Sequence, residues 1–220
     1  HPVHEVLEYI GGDHENKIVI DSITLNHYPD NQKSRSSYLP LLELSVKEDP
    51  TDDRNMHYLG REYMYYGKWN ESIDTLIRHL SLPKATWKDE RSASMRFISR
   101  CYIELKRYDE ARMWLLKAIE ETPYLRDPYV EMALLAYKLE SWREVEFYCL
   151  EALKITKYEK TYINEPFSWD YTIYDLLSLS CFYQQKFVES LEYINKAIKM
   201  SPNNERLLEN KQLILKHLNN

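Results

Sequence analysis

A recurring spacing of apolar and small residues constrains this chain more than any other feature. The clearest unit spans 92–123, where apolar side chains recur at helical spacing: Met95, Ile98, Tyr102 and Leu105, then Tyr108, Ala111, Leu115, Ala118 and Ile119. A short turn at Leu105, Lys106 and Arg107 divides it into two amphipathic helices. Aligning Ser72, Ala111, Val145 and Ser190 brings most of the chain into register. Nine residues earlier stand Tyr63, Tyr102, Ala136 and Cys181; four residues later stand Leu76, Leu115, Cys149 and Ile194. From Ala111 to Val145 the interval is 34 residues, and from Tyr38 to Ser72 it is again 34. No single helical hairpin can bury its own apolar stripe, so hairpins of this kind must stack and supply one another's core.

The period divides the chain into a half repeat at 34–50, full repeats near 53–88, 92–125, 126–157 and 171–203, and a capping helix at 204–218. Pro50, Pro123 and Pro202 fall at matching helix ends, and Leu207, Leu208, Leu213, Ile214 and Leu218 give the last helix a docking face. Two intervals break the rhythm. Ser72 to Ala111 leaves extra residues around 82–88, and Val145 to Ser190 leaves a longer excess around 158–170. The run Met56-x-x-Leu59-Gly60-x-x-Tyr63, with small residues at the helix crossings, resembles the tetratricopeptide signature. The expected fold is all-α: a right-handed tetratricopeptide-type α-α superhelix over 33–220, preceded by a short non-helical segment at 1–32.

Composition narrows the function. A formal net charge of −6 argues against general nucleic-acid binding. Four glycines are few for an all-β or dinucleotide-binding chain. No stretch approaches the run of about 20 apolar residues that a membrane span needs. Cys101, Cys149 and Cys181 each sit inside an apolar helical pattern, which predicts buried thiols and a reducing, cytoplasmic setting. The chain opens on His1 rather than Met, which suggests a fragment or processed product.

In stacked hairpins the first helices line a concave face. The outward positions there are Arg54, His57 and Arg61, then Arg96 and Arg100, then Tyr137 with Lys138, and finally Asp175, Phe182 and Tyr183. One end of the groove is basic and the other aromatic. Its expected partner is an extended protein or peptide segment, or an acidic, hydroxyl-bearing acceptor. The competing reading is a solvated face whose arginines pair with carboxylates of the same chain. The Lys/Asn pattern by which some such domains clamp a C-terminal carboxylate is absent. Trp69, Tyr108, Trp142 and Phe187 recur after the inter-helix turns and are expected to pack the core.

Residues 1–32 stand apart. The run at 17–25 is β-branched and reads as a strand, between turn-forming clusters. His4 and Glu5 do not make a metalloprotease motif, because Glu8 stands where the second histidine should. Several segments together resemble the C-terminal part of family 2 (GT-A type) glycosyltransferases carrying tetratricopeptide repeats. They are Pro2-Val3-His4-Glu5, Asn26-His27-Tyr28-Pro29, Tyr58-Leu59-Gly60-Arg61, Glu165-Pro166 and Asp175-Leu176-Leu177. The resemblance implies that 1–32 is the end of a catalytic domain, with Glu5 as the base-like residue and His4 or His27 near a divalent metal. Mg or Mn and a nucleotide sugar would then serve the parent enzyme. The repeats would bind acceptor or partner beside the parent's own or a partner's catalytic domain. No Asp-x-Asp motif occurs in the chain, so these residues alone are expected to need no cofactor and to catalyse no transfer. The alternative is a free-standing tetratricopeptide adaptor, with 1–32 as an N-terminal cap.

Overall fold

The structure, a computed structural model, describes residues 38–158 and 161–219. The expected strand at 17–25 and the candidates His4, Glu5 and His27 lie outside the described residues. The described residues form an α-α superhelix of stacked hairpins, with no strand among them. A leading helix α1 (Tyr38–Glu48) is followed by the pairs α2 (Asp53–Tyr65) with α3 (Trp69–Ser81), and α4 (Lys88–Glu104) with α5 (Tyr108–Glu121). Next come α6 (Asp127–Lys138) with α7 (Trp142–Lys154), α8 (Thr172–Tyr183) with α9 (Phe187–Met200), and the final helix α10 (Glu205–Leu218).

Each hairpin turns the same way. Gly67, Lys106, Glu140 and Gln185 occupy the same repeat position, and all have positive φ, between 56° and 71°. The amide after each reaches back to the helix before it: Lys68 to the Tyr63 carbonyl, Arg107 to Tyr102, Ser141 to Ala136 and Lys186 to Cys181, all at 2.8–2.9 Å. This is the left-handed C-terminal stop that satisfies otherwise orphaned carbonyls. The following aromatics, Trp69, Tyr108 and Trp142, pack against the hydrophobic clusters as expected. Phe187 instead packs its ring against Phe182 and His217.

The small residues set the approach of the paired helices. A Cβ on Gly60 would lie 2.5 Å from Leu76 of α3. Ser72 closes the same crossing, its hydroxyl donating to the Gly60 carbonyl at 2.8 Å. In the last hairpin Ser190 does the same to the Ser178 carbonyl, also at 2.8 Å. The three cysteines are free and buried, and burial pushes the Cys101 and Cys181 thiols up to about 11.

Helix α4 is longer than a strict period predicts. It begins at Lys88, ahead of residue 92, and runs 17 residues against 13 for α2. Part of the first insertion is therefore an added helical turn, with Asp89 and Glu90 favourably placed near the helix N-terminus. The second insertion folds back over the concave side, where Ile163 enters the core beside Met64, Ala93 and Phe97. A single 3-10 turn at Pro166–Ser168 then leads into α8.

Candidate functional site

The concave groove holds a strap of the chain itself. Arg96 lies on the inner side of α4 and is 1% exposed. Its Nη1 donates to Glu131 Oε1 at 2.8 Å, and its Nη2 donates to the Ile163 carbonyl at 2.8 Å. One turn later, Arg100 donates to both Glu131 oxygens, at 2.8 and 3.0 Å, and to Glu165 Oε1 at 2.5 Å. Asp127, at the start of α6, accepts the Glu165 amide at 2.6 Å and the Ser168 hydroxyl at 3.2 Å. Burial alone would raise the Glu131 carboxyl, but Arg100 and Arg96 outweigh it and hold the group below its ordinary range.

The two insertions meet. Tyr162 of the strap donates its hydroxyl to Glu90 on the added turn of α4. Its ring lies 5.6 Å from Trp87 and 6.1 Å, edge-on, from Tyr58 of α2. Beneath it runs a buried chain of polar groups. His57 Nδ1 is 2.7 Å from the Ser94 hydroxyl, which is 2.9 Å from His79 Nδ1. His79 Nε2 is 3.5 Å from Glu90. Ser94 has one proton, so it donates to one imidazole and accepts from the other. Burial pushes His57 down to about 3, against the opposing pull of Glu90, so this imidazole stays neutral. A serine, histidine and carboxylate in line suggest a hydrolytic triad. Ser94 and His79 are fully buried and Ser94 is held between two imidazoles, so no substrate reaches the hydroxyl. The chain is a structural link.

These observations correct the reading of His57 and Arg96 as outward groove residues. His57 is 0% exposed, enclosed by Ser94, His79 and Phe97, and Arg96 is covered by the strap. Arg100 is half-buried and held by two glutamates of its own chain. Arg54 and Arg61 remain accessible on α2. Arg54 Nε donates to the Tyr58 hydroxyl at 3.3 Å, and the Arg61 guanidinium lies 4.9 Å from the Tyr58 ring centre. Arg61 has no carboxylate within ion-pair distance among the described residues, and its Nε is buried without a hydrogen-bond partner.

The aromatic end does not form one surface. Tyr183 stacks on Trp142 at 4.1 Å, and Tyr137 meets the same indole edge-on at 5.8 Å. Phe182 turns towards α10, beside Leu213 and Ile214, in a cleft of about 90 Å³. A larger cleft of about 760 Å³ opens between the first insertion and the chain just beyond α5 and α7, lined by Trp87, Tyr124 and Ile155. Among the described residues, no group of three His, Cys, Asp or Glu side chains is arranged to hold a metal ion.

The sequence placed Arg61 and Arg100 on one face but missed their surroundings. Glu131, Asp127, Glu90 and Tyr162 carry no repeat-level signal. The competing reading, arginines paired with carboxylates of the same chain, holds for Arg96 and Arg100, although the sequence did not say which carboxylates.

Comparison with known proteins agrees with this architecture. Residues 97–124 match the tetratricopeptide repeat family model. Over 73 residues, 32% of this chain, the sequence is 40% identical to outer dynein arm-docking complex subunit 4 of Danio rerio. That stretch spans only 15% of the Danio protein. Among solved structures, MamA superposes with a TM-score of 0.61 at 15% identity, over 82% of this chain and 99% of MamA. YrrB, described as a TPR protein with an unusual peptide-binding site, superposes with a TM-score of 0.59 at 12% identity, over 80% of this chain and 82% of its own. At such identities the structural likeness speaks for the fold. No helix among the described residues is long and apolar enough to cross a membrane.

Proposed function

We propose that this chain is a protein-interaction module that takes an extended, acidic segment of a partner across the concave face of its first repeat. One observation carries the reading. Arg61 and Arg100 occupy the same position in successive repeats, the offset being that of Ser72 and Ala111. Arg100 holds Glu165 of the chain's own strap, whereas Arg61 has no carboxylate among the described residues. The protein thus displays at one repeat the ligand chemistry that the preceding repeat leaves unanswered. Arg54, sharing the Tyr58 ring, adds a second guanidinium beside it. A carboxylate-bearing backbone laid there would extend the line of the strap.

This reading treats the chain as an adaptor. A glycosyltransferase parent, with its metal and nucleotide sugar, draws no support from the family match or from the proteins named above. Nothing in the proposed binding requires a cofactor. The three buried free thiols suit a reducing compartment, which supports a cytoplasmic setting.

The test is a fluorescence-anisotropy titration with labelled extended peptides rich in Asp and Glu, against their Asn and Gln counterparts. The acidic peptides are expected to bind about tenfold more tightly or better, the worth of one charge-assisted hydrogen bond. The double variant Arg54→Glu with Arg61→Glu should abolish that preference. Equal binding of acidic and amide peptides, or a preference that survives the double reversal, would sink the reading.

A further inference from the structure

The strap and the two groove arginines meet at one ring. The Arg61 guanidinium lies 4.9 Å and that of Arg54 5.7 Å from the centre of Tyr58. Arg54 Nε also donates to the Tyr58 hydroxyl at 3.3 Å. Neither arginine has a carboxylate within ion-pair distance among the described residues. Two like charges gathered at one ring repel each other, so their placement needs a cause. On its other side Tyr58 meets the edge of Tyr162, at the tip of the strap. The two phenol hydroxyls are hydrogen-bonded to each other, and Tyr162 in turn donates to Glu90. Burial alone would raise the Glu90 carboxyl, but His79, His57 and Tyr162 outweigh it, so the group is ionised.

Proton counting fixes the direction of this chain. An ionised carboxylate only accepts, and a phenol has one proton to give. Glu90 therefore accepts from Tyr162, Tyr162 from Tyr58, and the Tyr58 oxygen is left to accept from Arg54. The repeat supplies no such arrangement elsewhere. At the positions of Arg54 and Tyr58 the next repeats have Ala93 with Phe97, Asp127 with Glu131, and Thr172 with Leu176. The arginine and the phenol occur together only in the repeat that the strap tip reaches. We propose that Tyr162 is a positioning residue of the acidic-segment site: from the strap, through Tyr58, it holds Arg54 beside Arg61. This role rests on the reading of the groove given above. A guanidinium held in place beforehand spends less rotamer freedom on meeting a carboxylate, so the strap raises the groove's preference for acid without touching the ligand.

Tyr162→Phe isolates the role. It keeps a ring against Trp87 and Tyr58, and Arg96 and Arg100 still seat the strap, so only the hydroxyl chain is cut. With the full chain and the Asp- and Glu-rich peptides used above, the preference for acidic over amide peptides should fall about fivefold, with amide binding unchanged. Glu165→Gln disturbs the strap at its Arg100 contact and should keep the preference. Without any peptide, the Arg54 Nε–H signal in a nitrogen–proton NMR spectrum, identified by its loss in Arg54→Lys, should move and exchange faster with solvent in Tyr162→Phe. An unmoved Arg54 signal overturns the proposal whatever the groove binds. An equal loss of preference in Glu165→Gln also overturns it, because Tyr162 would then act only by seating the strap. A wild type with no acidic preference defeats the groove reading and this role with it. A wild-type preference that survives Tyr162→Phe defeats this role alone.

Discussion

Arg100 donates to Glu165 at 2.5 Å across 65 residues of sequence, while Arg96, one turn earlier, donates to the Ile163 carbonyl across 67. The two arginines do similar chemistry at different depths. The Arg96 side chain is 1% exposed and that of Arg100 27%. Depth orders the cost of losing each contact. Arg96→Ala would leave the buried Asp127 without a cation and the Ile163 carbonyl without its donor, with Glu131 held by Arg100 alone, and is expected to cost about 3 kcal/mol. Glu165→Gln leaves Arg100 still paired with Glu131 and should cost about 1 kcal/mol or less. Urea denaturation of both variants checks the ranking, which fails if the losses are equal.

Acid should weaken the fold before any carboxylate is protonated. His57 titrates near 6.5 when unfolded and is pushed down to about 3 in the fold. Between those values the unfolded chain binds a proton that the folded chain refuses. Stability is therefore full above about pH 7 and falls as the pH drops through 6.5, by about 2 kcal/mol at pH 5. Glu131 and Glu90 are both held below their ordinary range, since their cationic and hydrogen-bonding neighbours outweigh burial, and add their losses only at lower pH. Thermal melts at pH 7 and pH 5 should differ clearly for the wild type and much less for His57→Gln. Equal slopes in the two proteins would falsify the assignment.

Two residues at one repeat position should answer the same substitution with opposite signs. Gly60→Ala forces a Cβ to within 2.5 Å of Leu76 and should cost about 1–3 kcal/mol. Ser99, its equivalent in the next repeat, has a buried hydroxyl with no partner. Ser99→Ala removes that unsatisfied group and should be neutral or stabilising. Chemical denaturation of the pair decides it.

The hairpin turns offer an easy gain. Lys106, Glu140 and Gln185 hold the left-handed conformation that Gly67 adopts without strain. Replacing any of the three by glycine should stabilise by about 0.5–1 kcal/mol, and Gly67→Ala should cost about 1 kcal/mol. A calorimetric melting series would show it. A loss of stability in all three glycine variants would mean that the side chains at these turns contribute more than the backbone relief.

The helical pairs, their turns and the crossing residues were legible because stacking forces them to recur. Gly60, Ser72 and Leu76 meet where the period places them. The groove was only half legible. The repeat put Arg61 and Arg100 on one face, but it has no means of saying where an insertion goes. Arg96 is covered by the strap, which lies outside the period, and His57 by its contacts with Ser94, His79 and Phe97. The helical spacing also kept Met113 and Leu116 out of the stripe of Ala111, Leu115 and Ala118, and the structure leaves both exposed.

A stack of hairpins behaves as a spring, each coil touching only the next. Tyr162 spoils that simplicity: it follows the third hairpin yet reaches Tyr58 in the first. The strap is a tie-rod across the coils. Pulling them apart would load the Arg96 and Arg100 ion cluster before it loads the helix packing, so these repeats stiffen and yield together rather than one at a time.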